Sequence, residues 1–187
     1  MKFLARLVSL VLLLGAGAAQ SAPRALIAAN SHIDFSVKEM GVSVSGRFGH
    51  FDASIDLDPA KPEIAHAAIT VDVASLSTGD RDADAIAVDK PWLAKLEFPK
   101  ASFTSSAIKA LGDNRYEVKG ALTIRGKTHD ITLPLTTSPQ ADGGLVASGS
   151  FTIRRSDYAI GGGEWNEGGV VADEVAVSFV LALGPAT

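Results

Sequence analysis

The 187-residue chain has no cysteine, which excludes disulfides, thiolate zinc sites, iron–sulfur clusters and cysteine nucleophiles. It lacks an excess of positive charge: 17 Lys and Arg stand against 21 Asp and Glu, a formal net charge of −4. A nucleic-acid binder needs a basic face to displace counterions from phosphates, so that class is not expected. Low complexity and long like-charge runs are also missing. With 47% hydrophobic and 20% charged residues the composition is globular, too apolar for disorder. Only four histidines are present, His32, His50, His66 and His129, and no two lie three to five residues apart. No metal site and no cofactor are expected from them.

No apolar run reaches the ~20 residues that span a bilayer as a helix. The longest, Leu7 to Leu14, follows Lys2 and Arg6 and precedes the small residues Gly15 to Ala22, which include Ala16-Gly17-Ala18. This is the pattern of a secretory signal peptide over residues 1–22, removed on export. The expected mature protein, residues 23–187, is one domain, and losing Lys2 and Arg6 brings its net charge to −6. Export and the absence of a long disordered tail fit a bacterial periplasmic location. Without cysteine the fold rests on apolar burial alone, which a chain of this size can supply.

What the mature sequence has in abundance is period-two alternation, the mark of half-buried strands. Ile33, Phe35 and Val37 alternate with polar neighbours. So do Phe51, Ala53, Ile55 and Leu57, then Ile69, Val71 and Val73, then Ala101 and Phe103. Tyr116, Val118, Leu122 and Ile124 form a longer run, followed by Ile131, Leu133 and Leu135, by Phe151 and Ile153, and by Val175 through Leu183. About eight strands result. Gly112-Asp113-Asn114, Arg125-Gly126-Lys127 and Asp142-Gly143-Gly144 supply residues that tolerate positive φ, as tight hairpins require. Residues 78–96 break the pattern: Asp82 to Val88 is rich in Ala and acid, and Pro91 opens a second helical-looking stretch. One or two short helices are predicted there. Long strands joined by hairpins predict an all-β fold, an eight-stranded antiparallel barrel, with a sandwich as the other architecture.

The inward positions are Phe, Ile, Val and Leu with almost no ionisable group, which suits either a lipid pocket or an ordinary packed core. Catalytic patterns fail on spacing. Asp80, Asp82 and Asp84 imitate a calcium loop, but Ala85 and Pro91 stand where Gly and Glu are needed. Ser106-Ala107-Ile108-Lys109 falls at a strand end, and Gly161-Gly162-Gly163 follows no strand–helix unit and has no Lys. Glu164 and Glu167 flank Trp165, but nothing selects them as an acid–base pair. Arg154 and Arg155 end a strand and Arg125 caps a hairpin. One of them could hold an anionic head group bidentately, or pair instead with Asp157 or Asp173.

Six motifs in order resemble the YceI-like family. They are Ser31-His32-Ile33-Asp34-Phe35-Ser36-Val37; Gly46-Arg47-Phe48 with Phe51 to Asp58; Val73-Ala74-Ser75-Leu76-Ser77-Thr78-Gly79 with Asp82, Asp89 and Trp92-Leu93; Phe98-Pro99-Lys100-Ala101-Ser102-Phe103-Thr104-Ser105; Gly120-Ala121-Leu122-Thr123-Ile124-Arg125-Gly126-Lys127-Thr128; and Ile153 to Gly161. Ala53 and Ala159 depart from it where that family has Gly, and Lys38-Glu39-Met40 replaces a His-rich turn.

The resemblance implies a lipocalin-like barrel that binds an isoprenoid lipid, a polyprenyl phosphate or quinone-like molecule, in the periplasm without catalysis. On that reading Phe35, Val37, Phe48, Phe51, Val71, Phe103, Leu122, Ile124, Phe151 and Ile153 line the tunnel, with Trp92 and Trp165 near its mouth. Arg125, Arg154 and Arg155 are the head-group candidates. An envelope-stress or interaction protein with a filled barrel, and a hydrolase on the same scaffold, are the alternatives; a homodimer is left open.

Overall fold

The computed structural model describes residues 23–58, 61–162 and 170–186. The expected signal peptide at 1–22 and Trp165 lie outside the described residues. Eleven strand segments follow the alternation: β1 Arg24–Leu26, β2 His32–Glu39, β3 Val42–Phe48, β4 Phe51–Asp56, β5 His66–Asp72, β6 Leu76–Ser77, β7 Lys100–Gly112, β8 Arg115–Ile124, β9 Lys127–Pro139, β10 Leu145–Arg154 and β11 Val171–Ala186.

They form eight staves, because three staves are broken in two. β1 and β2 share one, β3 and β4 the next, and β5 and β6 the third. Each stave pairs antiparallel with its sequence neighbour, and β11 pairs with both β1 and β2. That last ladder closes an eight-stranded antiparallel barrel. The breaks are repaired locally. Ser31 Oγ donates to Ile27 O at 2.8 Å and accepts from Ala182 N at 2.9 Å, bridging the gap between β1 and β2. Ser75 does the same across the β3–β4 gap: its carbonyl accepts from Gly49 N at 3.0 Å and its hydroxyl from His50 N at 3.0 Å.

Turn chemistry fixes the hairpins. Arg125 and Gly126 sit at φ 49° and 69°, both left-handed, so the two-residue turn twists with its strands. Asp113 and Asn114 at φ 53° and 58° do the same between β7 and β8.

Residues 78–99 cross one end of the barrel. They contain the one α-helix among the described residues, α1, Arg81–Ala87. Asp80 caps it, its side chain accepting from Asp82 N and Ala83 N. Asp84 anchors the approach, accepting from Thr78 N at 2.6 Å and Thr78 Oγ1 at 2.7 Å. These bonds hold its carboxyl below the ordinary range. The stretch after Pro91 folds as linked turns rather than a second helix. Ala94 enters the left-handed region at φ 51° and its carbonyl accepts from both Glu97 N and Phe98 N.

Candidate functional site

The inward side chains do not fill the barrel. They enclose a cavity of about 400 Å³, within the size range of small-molecule sites. Its far end is sealed by residues that do not reach it: Tyr116, Leu145 and Leu183 are 3%, 2% and 2% exposed. Its near end is open. Ile86 of α1 lines the cavity yet is 54% exposed, and Glu39 at the end of β2 is likewise both lining and exposed. The mouth therefore lies between the β2–β3 hairpin and α1. Polar side chains on the wall are few: Glu39, Thr78, Ser102 and Arg155.

Ten of the residues predicted from alternation line this space: Phe35, Val37, Phe48, Val71, Trp92, Phe103, Leu122, Ile124, Phe151 and Ile153. Phe51 does not. It stands opposite Val71 but packs against the core cluster without reaching the cavity wall. The alternation missed Ala83, Ile86 and Ala87, one face of α1 at helical spacing. It also carried the β11 residues Val175, Val177, Phe179 and Leu181 as a strand without assigning them to the pocket, although they wall it.

The three arginines separate. Arg154 points outward and pairs with Asp173 at 2.9 Å. Asp173 also accepts from the Ser156 hydroxyl and N–H. The hydroxyl foremost, then Arg154 and the N–H, hold its carboxyl down at about 2. Arg155 is turned inward and is 5% exposed. Nε donates to Ala172 O at 3.1 Å, Nη1 to Ile160 O and Gly161 O at 2.8 and 2.9 Å, and Nη2 to Val171 O at 3.0 Å. Its guanidinium also lies 5.7 Å from the centre of the Trp92 ring. Arg155 thus clamps backbone instead of standing at the rim as a free head-group ligand.

Gly161 N donates to Pro91 O at 2.9 Å, so the 78–99 connection and the loop after β10 are joined at this point. Arg125 donates from Nη2 to Lys90 O at 2.8 Å, while its Nε is buried without a hydrogen-bond partner.

The histidines lie apart from the cavity lining. His129 Nε2 meets Asp157 O at 3.0 Å, and its ring packs edge-on to Tyr158, whose hydroxyl burial pushes up. Among the described residues no group of three His, Asp or Glu is placed to hold a metal ion.

A closed eight-stranded antiparallel barrel with an apolar interior and one short helix at its mouth is the lipocalin-like class of fold. A YceI-like domain profile matches residues 25–183, and the chain belongs to the YceI-like family. It is 31% identical over 169 residues to a UPF0312 protein of Pseudomonas savastanoi pv. phaseolicola, covering 86% of this chain and 88% of that one. The crystal structure of Burkholderia cenocepacia BcnA is similar at a TM-score of 0.81 and 38% identity, over 84% of this chain and 98% of BcnA. A polyisoprenoid binding domain from Saccharophagus degradans shares the fold at a TM-score of 0.72 and 19% identity, over 89% and 99% of the two chains.

Proposed function

We propose that the protein binds the hydrocarbon chain of an isoprenoid lipid, a polyprenyl phosphate or quinone-like molecule, in the barrel cavity and carries it in the periplasm, where residues 1–22 direct it. It performs no chemistry on the lipid. The observation that carries this reading is the hollow, apolar interior open at one end. Burial of each CH₂ is worth ~0.8 kcal/mol, so a long prenyl tail gains affinity without many specific contacts. A polar head has no partner deep in such a wall and stays at the mouth. Backbone carbonyls take up Arg155, so Arg125 and Arg154 are the head-group candidates. The family membership and the binding named for the S. degradans domain support the same ligand class.

The test is organic extraction and mass spectrometry of the exported protein purified from a Gram-negative host. A prenyl lipid at near-stoichiometric amount is expected. Phe103→Asp combined with Leu122→Asp should remove it while the strand-rich circular dichroism spectrum persists. Lipid retention by that variant, or an empty wild-type protein, would overturn the reading.

A further inference from the structure

We propose that three inward-facing glycines, Gly46, Gly120 and Gly149, set the bore of the cavity, and that Gly46 in particular makes it wide enough for a methyl-branched chain rather than only a straight one. This rests on the lipid-binding reading above. An eight-stranded barrel is only just wide enough for its own side chains to fill, so a hollow one needs a reason. The reason here is where the large rings lie.

Phe35 stands directly opposite Gly46, and Phe179 directly opposite Gly149. Phe103 is one inward position along from the Ser105–Gly120 pair. A methyl group on Gly46 would sit 2.4 Å from Phe35 Cζ and 2.6 Å from Cε1. On Gly120 it would sit 2.5 Å from Phe103 Cζ, and on Gly149 2.7 Å from Phe179 Cζ. The outer end of each ring therefore rests on the bare Cα of the neighbouring strand. Each ring runs along the wall instead of pointing at the axis. The three pairs lie on β2/β3, β7/β8 and β11/β10, spread around the barrel, and all three rings line the cavity.

Gly46 isolates this effect best. Methyls at Gly120 and Gly149 would also meet backbone, Thr104 O and Pro134 O, each at 2.4 Å. At Gly46 the two nearest atoms belong to the Phe35 ring; the backbone carbonyl Ser77 O comes next at 2.9 Å, a milder clash that β6 also has to relieve. Ordinary contact begins at 3.4 Å, so the ring has to withdraw by about 1 Å. Phe48, with its ring centre 5.7 Å from that of Phe35, stands on one side, and the open side is the cavity. The displaced ring narrows the bore, and the side methyls of a branched chain meet that narrowing before a straight chain does.

The experiment compares geranylgeraniol with hexadecan-1-ol as probes, by displacement of a fluorescent polyene fatty acid from the wild-type protein and from Gly46→Ala. Gly46→Ala is expected to weaken geranylgeraniol about tenfold or more, the scale of one methylene-sized misfit in an apolar pocket. Hexadecan-1-ol should change less than about threefold on the same scale. Gly46→Ala with Phe35→Leu, which gives the methyl room, should restore geranylgeraniol; this variant carries the test if the single one does not fold. Equal loss of both alcohols, no loss of either, or no rescue would overturn the inference while leaving lipid binding intact. Binding of neither alcohol by the wild-type protein would instead overturn the carrier reading, and the inference with it.

Discussion

Replacing Arg155 with Met keeps most of the side-chain volume and removes the guanidinium. Four carbonyls, those of Ile160, Gly161, Val171 and Ala172, then lose the donors that reach them at 2.8 to 3.1 Å. Hydrogen bonds to a charged group are worth about 1.5–3 kcal/mol each, and buried acceptors left unmet cost about 1–3 kcal/mol each. The full sum is not expected, because carbonyls near the mouth can regain water and losses within one network do not add. A net destabilisation of about 3–5 kcal/mol follows, at the upper end of single substitutions. In a chain of this size that lowers Tm by roughly 10 °C.

Arg155→Lys keeps the charge but not the planar fork, so it cannot reach four acceptors on two segments and recovers only part of the loss. Thermal unfolding followed by circular dichroism gives the magnitude. Hydrogen exchange locates it: protection should fall in 155–162 and 171–175, and in 90–94, where Gly161 N meets Pro91 O and Arg155 meets Trp92. If Arg155→Met unfolds within about 1 kcal/mol of wild type, the clamp contributes no more than an ordinary side chain and the reasoning fails.

Three other substitutions test separate parts of the structure. Ala159 occupies the left-handed region at φ 54° after the Arg155–Tyr158 turn, where the family resemblance expects Gly. Ala159→Gly should therefore stabilise the protein by about 0.5–1 kcal/mol in denaturant titration, and a loss of stability would refute the strain. Asp173, held at about 2, binds its proton less readily folded than unfolded. It contributes stability that is complete above about pH 4 and lost as pH falls toward about 2. Because the carboxylate is more than a third exposed, screening leaves about 1 kcal/mol; Asp173→Asn should flatten stability between pH 5 and pH 2 by about that amount. Asp80→Ala removes the cap that accepts from Asp82 N and Ala83 N. It should cost about 1 kcal/mol and raise amide exchange across α1 without changing the barrel ladders.

Much of the site was legible because alternation in a half-buried strand encodes which side chains face in. That rule alone places Phe35, Val37, Val71, Phe103, Leu122, Ile124, Phe151 and Ile153 on one surface, and all of them wall the cavity. Phe51 obeys the same alternation and stands opposite Val71, yet packs into the core, because period two gives the face of a side chain and not what its neighbours leave exposed to the cavity. The setting of Arg155 was not legible in the pattern, for a related reason. Its neighbour Arg154 takes the carboxylate of Asp173, and only the chain reversal after β10 brings four carbonyls around the other guanidinium.

The sequence by itself determined the number of staves, their antiparallel order and the sharp hairpins, since alternation and left-handed turn residues act over a few positions. It also determined that the interior is greasy. Whether that interior is hollow was decided by the tertiary structure. The pairs that lay rings along the wall join Phe35 to Gly46, Phe103 to Gly120 and Gly149 to Phe179, across separations that register alone brings together. A local pattern can choose the face of a side chain; only closure of the sheet sets what that side chain lies against.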